Sequence, residues 1–194
     1  NPQVLEQAFA AANPGLQKQI ARSPDRVVLV EEFLPQFAEG PGKILFVGVR
    51  AYTQGYPALL ERDGAECWTS DIVPTSARWG NPGRHWTGDL LEVGEAFEPG
   101  EFRAVLCNGV FGFGVDGREM QASAFAAMAK VMAPGGLLLL GWNTDRTPDP
   151  LDAEAWRPLF EPAEMEGLPM RRKIEGTGLA RTPAAQLSGG CDEP

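Results

Sequence analysis

Four short stretches of this chain carry the residue types from which a small-molecule site is built. Gly48 ends the run ILFVG, and the lack of a Cβ lets backbone approach a ligand closely, although a plain turn glycine would look the same. Asp71 ends AECWTSD, 23 residues after Gly48. That is close to the roughly 20 at which an acid accepts hydrogen bonds from ribose hydroxyls in nucleotide-binding α/β folds. An N-cap is the other use of an aspartate there. Asp89, followed by Leu90, can accept from an adenine amino group while the leucine packs on the ring, and it too fits a cap or turn. Asn108-Gly109 opens the loop NGVFGFG, whose glycines and two phenylalanines suit either a backbone bending beside a pocket or a loop that only packs.

Other reactive side chains point away from catalysis. His85 is the single histidine and starts a short strand, at the edge of a sheet opposite the one where ligands bind. A structural role is expected of it. Asp116, Asn143 and Asp145 follow strands and could reach a substrate, but read first as turn residues, so no catalytic residue is assigned. Cys67, Cys107 and Cys191 are scattered, with no CxxC and no histidine cluster, so neither a zinc site nor a disulfide framework is expected. Cys67 and Cys107 sit in apolar stretches and read as buried small hydrophobes.

Alternating elements must position the four stretches. Short apolar runs at 43–48, 65–71, 85–89, 102–108 and 137–142 predict strands, the first of them buried on both faces. Helical spacing predicts helices at 4–22 (interrupted by Asn13-Pro14-Gly15), 25–37, 56–63, 123–132 and 152–160, with Pro134-Gly135-Gly136 as a turn. A late strand at 170–174 and a weakly patterned tail from Gly176 complete the reading. Strands alternating with helices imply crossovers and a mainly parallel sheet covered on both faces.

The 194 residues suit one domain, with N-terminal helices at 1–41, a binding core at 42–143 and a C-terminal helix, weak strands and tail at 144–194. The net charge of −9 disfavours nucleic acid and anionic membrane as partners. The short basic patch Arg171-Arg172-Lys173 reads as a solvated strand edge. No apolar run nears the ~20 residues that span a bilayer. Residues 1–7 lack a charged-then-apolar signal pattern, and a cytoplasmic location is expected.

From about Gly42 to Asn143 the chain resembles the class I S-adenosylmethionine-dependent methyltransferases. ILFVG resembles their first motif, CWTSDI their second-strand acid, TGDLLEV their adenine-side acid and AVLCNGVFGFG their fourth strand and loop. VMAPGGLLLLGWN resembles their helix, Pro-Gly-Gly turn and fifth strand. The resemblance implies a single Rossmann-like α/β domain, with a mainly parallel twisted sheet, helices on both faces and last strands antiparallel or abbreviated. It implies S-adenosyl-L-methionine as cofactor, held by Gly48, Val49, Arg50, Asp71, Ile72, Asp89, Leu90, Asn108 and Gly109, and no metal. It also implies methyl transfer to a small-molecule acceptor, since an activated sulfonium needs mainly orientation. The chain departs from the pattern at Phe46, where the family has an acid, and at Arg50 and Tyr52, where it has loop glycines. Arg50 is positioned to pair with the methionine carboxylate, a bidentate geometry that arginine suits; a solvated loop arginine is the alternative. Two other functions compete: a non-catalytic protein that binds the same cofactor, and a nicotinamide-dependent oxidoreductase. The absence of GxGxxG after the first strand counts against the latter.

Overall fold

Apolar runs bounded by glycine and proline fold as strands that hide both faces. The computed structural model describes residues 14–174 and 184–189. β1 (Gly42–Val47), β2 (Ala65–Asp71), β3 (His85–Thr87), β4 (Phe102–Asn108) and β5 (Met132–Gly141) are parallel, side by side in the order β3-β2-β1-β4-β5. β6 (Phe160–Pro162), β7 (Arg171–Arg172) and β8 (Ala184–Gly189) follow; β8 pairs antiparallel with β5 and with both β6 and β7.

Side-chain alternation along these strands divides the core in two. On one face Ile44, Phe46, Ala104, Leu106 and Leu139 meet α2, which runs over 24–37, and α3 (Tyr56–Leu60). On the other, Leu45, Val105, Cys107, Leu138 and Leu140 meet α5 (Arg118–Val131), through Ala124, Phe125, Met128 and Val131. α1 (Pro14–Ala21) precedes α2, and the one-turn α4 (Val93–Ala96) lies between β3 and β4. Each fully buried Leu or Phe contributes ~1.5–3 kcal/mol, so two faces of such side chains hold the sheet together. Burial also pushes the Cys67 and Cys107 thiols up to about 12, which leaves them protonated and inert.

Within α2 the middle segment Leu29–Phe33 is a π-helix, flanked by the α-helical Pro24–Val28 and Leu34–Phe37. The Pro-Gly-Gly turn becomes a bulge at the start of β5. Phe102 pairs with Met132 and Ala104 with Leu137, so four residues on β5 bulge opposite one on β4. Gly136 is required there, because a Cβ would stand 2.8 Å from the Ala133 carbonyl oxygen.

Three sequence expectations change. The helix expected over 152–160 is two single 3-10 turns, Pro150–Asp152 and Glu154–Trp156, followed by β6. Pro158 lacks the N–H that would continue the helical bonding, although Arg157 itself keeps helical φ and ψ. The late strand at 170–174 shrinks to Arg171–Arg172. The weakly patterned tail supplies β8, because a strand paired on both edges is held by backbone hydrogen bonds and needs no apolar period. The helix expected over residues 4–12 and Cys191 lie outside the described residues.

Candidate functional site

The carboxyl ends of β1, β2, β3 and β4 meet around one cleft of about 500 Å³, counted to its open mouth. Gly48 leaves β1 with φ +93° and donates its N–H to the Ser70 carbonyl, 2.9 Å away, which extends the ladder with β2. A Cβ at Gly48 would stand 3.1 Å from Val110 Cγ2 and 3.2 Å from the Asn108 carbonyl oxygen. Only glycine lets the loops after β1 and β4 close on each other there.

Seven of the nine expected positions line this cleft: Gly48, Arg50, Asp71, Ile72, Asp89, Leu90 and Gly109. Ile72 is 61% exposed, an unusual position for a large apolar side chain and a suitable cover for a flat ring. Val49 and Asn108 are elsewhere. The Val49 side chain is buried in the core on the α2 face, and Asn108 faces a second pocket beneath α2. The reason is the two-residue period of β4, which puts Asn108 on the same face as Ala104 and Leu106.

Asp71 is almost fully buried and engages on both oxygens. Oδ1 accepts from the Val73 N–H at 2.8 Å, and Oδ2 pairs with the Arg50 guanidinium, which also donates to the Val49 carbonyl at 2.6 Å. The N-cap of the following 3-10 helix is Val73, so Asp71 is not its cap. Arg50 thus pairs with an oxygen of the acid that the sequence suggests for ribose. Asp89 caps the 3-10 helix Leu90–Glu92, accepting from the Leu91 N–H at 3.0 Å, and lines the cleft as well.

The glycine-rich loop after β4 also does two things. Gly109, Gly112 and Gly114 all have positive φ, which folds the loop back on itself. Phe111 drops into the core against Phe125, ring centroids 5.3 Å apart, while Phe113 lines the cleft.

Sequence reasoning missed Arg26. It lies one turn before Leu29 on the stripe that continues through Phe33 and Phe37, so the signal was a charge on the buried face of a helix. Arg26 is 6% exposed; its Nε is 3.3 Å from Asp25 Oδ2, and its guanidinium sits 5.1 Å from the Tyr52 ring centroid. It also hydrogen-bonds Tyr56, and its Nη2 would be 3.8 Å from a Cβ placed on Gly109. A buried cation therefore borders the corner where the cleft meets α2. Phe46, at the family's acid position, is buried against Tyr56 with centroids 5.5 Å apart.

The remaining candidates keep structural positions. His85 Nδ1 lies 2.9 Å from Thr69 Oγ1 at the start of β3, and desolvation lowers its pKa below the ordinary 6.5, with the Asp71 charge opposing. The Asn143 carbonyl accepts from the N–H groups of Arg146 and Thr147, as a turn residue does. Asp116 and Asp145 are exposed. The basic patch is engaged: Arg171 pairs with Asp149 and Arg172 with Glu32. Among the described residues, no cluster of three or more His, Cys, Asp or Glu is arranged to hold a metal. Among the same residues, no helix is long and apolar enough to cross a membrane.

No family model and no curated protein matches the chain. Solved structures do. The N-methyltransferase NodS from Bradyrhizobium japonicum WM9, in complex with S-adenosyl-L-homocysteine, superposes with a TM-score of 0.71 at 15% identity, over 97% of this chain and 99% of that one. The chain has the class I methyltransferase fold. Two further structures share it at low identity. One is the Burkholderia thailandensis 1,6-didemethyltoxoflavin-N1-methyltransferase (TM-score 0.56, 16% identity, 86% of this chain and 83% of that one). The other is a TehB-like SAM-dependent methyltransferase from Corynebacterium glutamicum (0.56, 16%, 91% and 100%).

Proposed function

We propose that this protein binds S-adenosyl-L-methionine in the cleft and is a methyltransferase acting on a small-molecule acceptor. The observation that carries the reading is the convergence of Gly48, Asp71, Asp89 and Gly109 from four strand ends onto one opening. The residues fit the cofactor chemically. Gly48 leaves room where a Cβ would press on Val110 and the Asn108 carbonyl, and Gly109 turns the chain with φ +73°. Asp71 and Asp89 are acceptors for ribose hydroxyls and an adenine amine, and Ile72, Leu90 and Phe113 are apolar surfaces for the ring. Bound there, the cofactor supplies an electrophilic methyl group.

The chain's own part is to orient and to exclude water, which alone can lower a barrier by ~7–11 kcal/mol. Arg50 pairs with the Asp71 carboxylate and fixes its orientation. Arg26, rather than Arg50, is the guanidinium free of the ribose acid, and we assign it the methionine carboxylate at the Gly109 corner. Titration calorimetry with S-adenosylmethionine, S-adenosylhomocysteine and NADH tests the reading. The sulfur compounds should bind and NADH should not; NADH binding with silence from both others would overturn it. A non-catalytic cofactor-binding protein is the second reading, favoured by the first loop, which carries Arg50 and Tyr52 where the family has glycines. It requires binding without turnover on any acceptor.

A further inference from the structure

Asp71 lines the cleft, yet its side chain is only 2% exposed. Arg50 covers it. The guanidinium Nη1 donates to Asp71 Oδ2 and, at 2.6 Å, to the Val49 carbonyl, while Oδ1 accepts from the Val73 N–H at 2.8 Å. A ribose hydroxyl has an oxygen the size of a water's and must come within about 3 Å of the atom it bonds. A carboxylate closed to water is therefore closed to ribose as well.

The Arg50 backbone is fixed, and its side chain is less so. Thr53, which is 2% exposed, accepts from the Arg50 N–H through Oγ1 at 2.9 Å, and the same hydroxyl donates to the Arg50 carbonyl at 2.9 Å. The Arg50 side chain is 19% exposed and borders the cleft, so rotation about its own torsions takes the guanidinium to water without moving the loop. Resting on the cofactor reading, we propose that Arg50 is a latch on the ribose acid. The nucleoside binds by displacing the guanidinium, and its two vicinal hydroxyls take over as donors to the Asp71 oxygens. A carboxylate buried this deeply is costly without a partner, so the closed pair predominates until the hydroxyls replace it. Affinity for the cofactor is then lowered by the fraction of molecules in which the latch stands open. The latch is a property of this chain, since Arg50 stands where the family has a glycine.

The test compares the wild type with Arg50→Met, both as the full chain; methionine keeps an unbranched apolar stem and lacks the donors. S-adenosylhomocysteine, adenosine and 2′,3′-dideoxyadenosine, which has neither hydroxyl, are titrated by calorimetry. Arg50→Met should bind the first two about tenfold tighter than the wild type does, and the third within about twofold of it. A general disturbance of the loop would move all three ligands alike. Should Arg50→Met fail to fold, the wild type decides through arginine side-chain NMR, with the signal assigned from Arg50→Lys. The Arg50 guanidinium, held against rotation by the pair, should rotate freely with adenosine bound and stay held with 2′,3′-dideoxyadenosine. Equal or weaker binding of S-adenosylhomocysteine by Arg50→Met, an equal gain on all three ligands, or a guanidinium still held with adenosine bound would overturn the latch. Failure of the cofactor reading is distinguishable: S-adenosylhomocysteine and adenosine would bind neither protein, and the latch would fall with it.

Discussion

Replacing Asp71 with alanine removes two interactions at once, and the structure sets how much should be lost. The Asp71 side chain is 2% exposed; it accepts from the Val73 N–H at 2.8 Å and pairs with Arg50, itself 19% exposed. Hydrogen bonds to a charged group contribute ~1.5–3 kcal/mol. Stranding one member of a buried pair costs ~3–5 kcal/mol. Arg50 retains part of its side chain in water and rehydrates, which brings the expected loss to ~2–4 kcal/mol. At ~2–4 °C per kcal/mol for a domain of this size, Tm should fall by roughly 5–15 °C. Arg50→Ala should cost at least as much, because the carboxylate it strands is the more deeply buried partner. The double variant should lose less than the two single losses together, with a coupling of ~1–3 kcal/mol. Thermal melts of all four proteins close the cycle. Binding is a separate readout, taken well below each midpoint: Asp71→Ala should weaken S-adenosylhomocysteine by roughly 10–100-fold. An Arg50→Ala protein that melts within a degree of wild type would show that the pair does not form in solution. Unchanged affinity in Asp71→Ala would end the ribose assignment.

Three more outcomes follow from the site. Asp89→Asn should keep Tm within about a degree, since asparagine caps as well as aspartate. It should nonetheless narrow the preference for adenine- over inosine-type analogues of S-adenosylhomocysteine, measured by competition. Arg26→Lys should weaken S-adenosylhomocysteine about tenfold or more and its decarboxylated analogue little, because lysine loses the bidentate fork. Equal losses on both ligands would return the carboxylate to another residue. His85 should make stability fall as pH drops below about 6.5. Desolvation lowers its pKa in the fold, so the unfolded chain takes up the proton first and acid draws the equilibrium toward it. Denaturant midpoints between pH 5 and 8 should show the slope in wild type and a flatter one in His85→Gln.

Much of this was legible in the chain itself. The bounds of β2 and β4 follow from AECWTSD and FRAVLCN, short stretches of strand-forming residues that turn-forming glycines set off from the preceding helix or following loop. Once the strands are placed, Gly48, Asp71, Asp89 and Gly109 must come to one edge, since parallel strands deliver all their carboxyl ends to the same side. Two kinds of fact were not written there. β8 has no apolar signature, as its place depends on backbone pairing with strands distant in sequence. Side-chain partners likewise depend on which loops pack together. Arg50 could reach a ligand or water by its position in the sequence, and only the fold sets Asp71 beside it. Arg26 stands on the apolar stripe of its helix in the sequence, and only the fold packs it beneath Tyr52 and beside Gly109. Period and spacing are local and survive in one dimension; the neutralisation of a buried charge is a contact between distant residues, and the tertiary structure alone decides it.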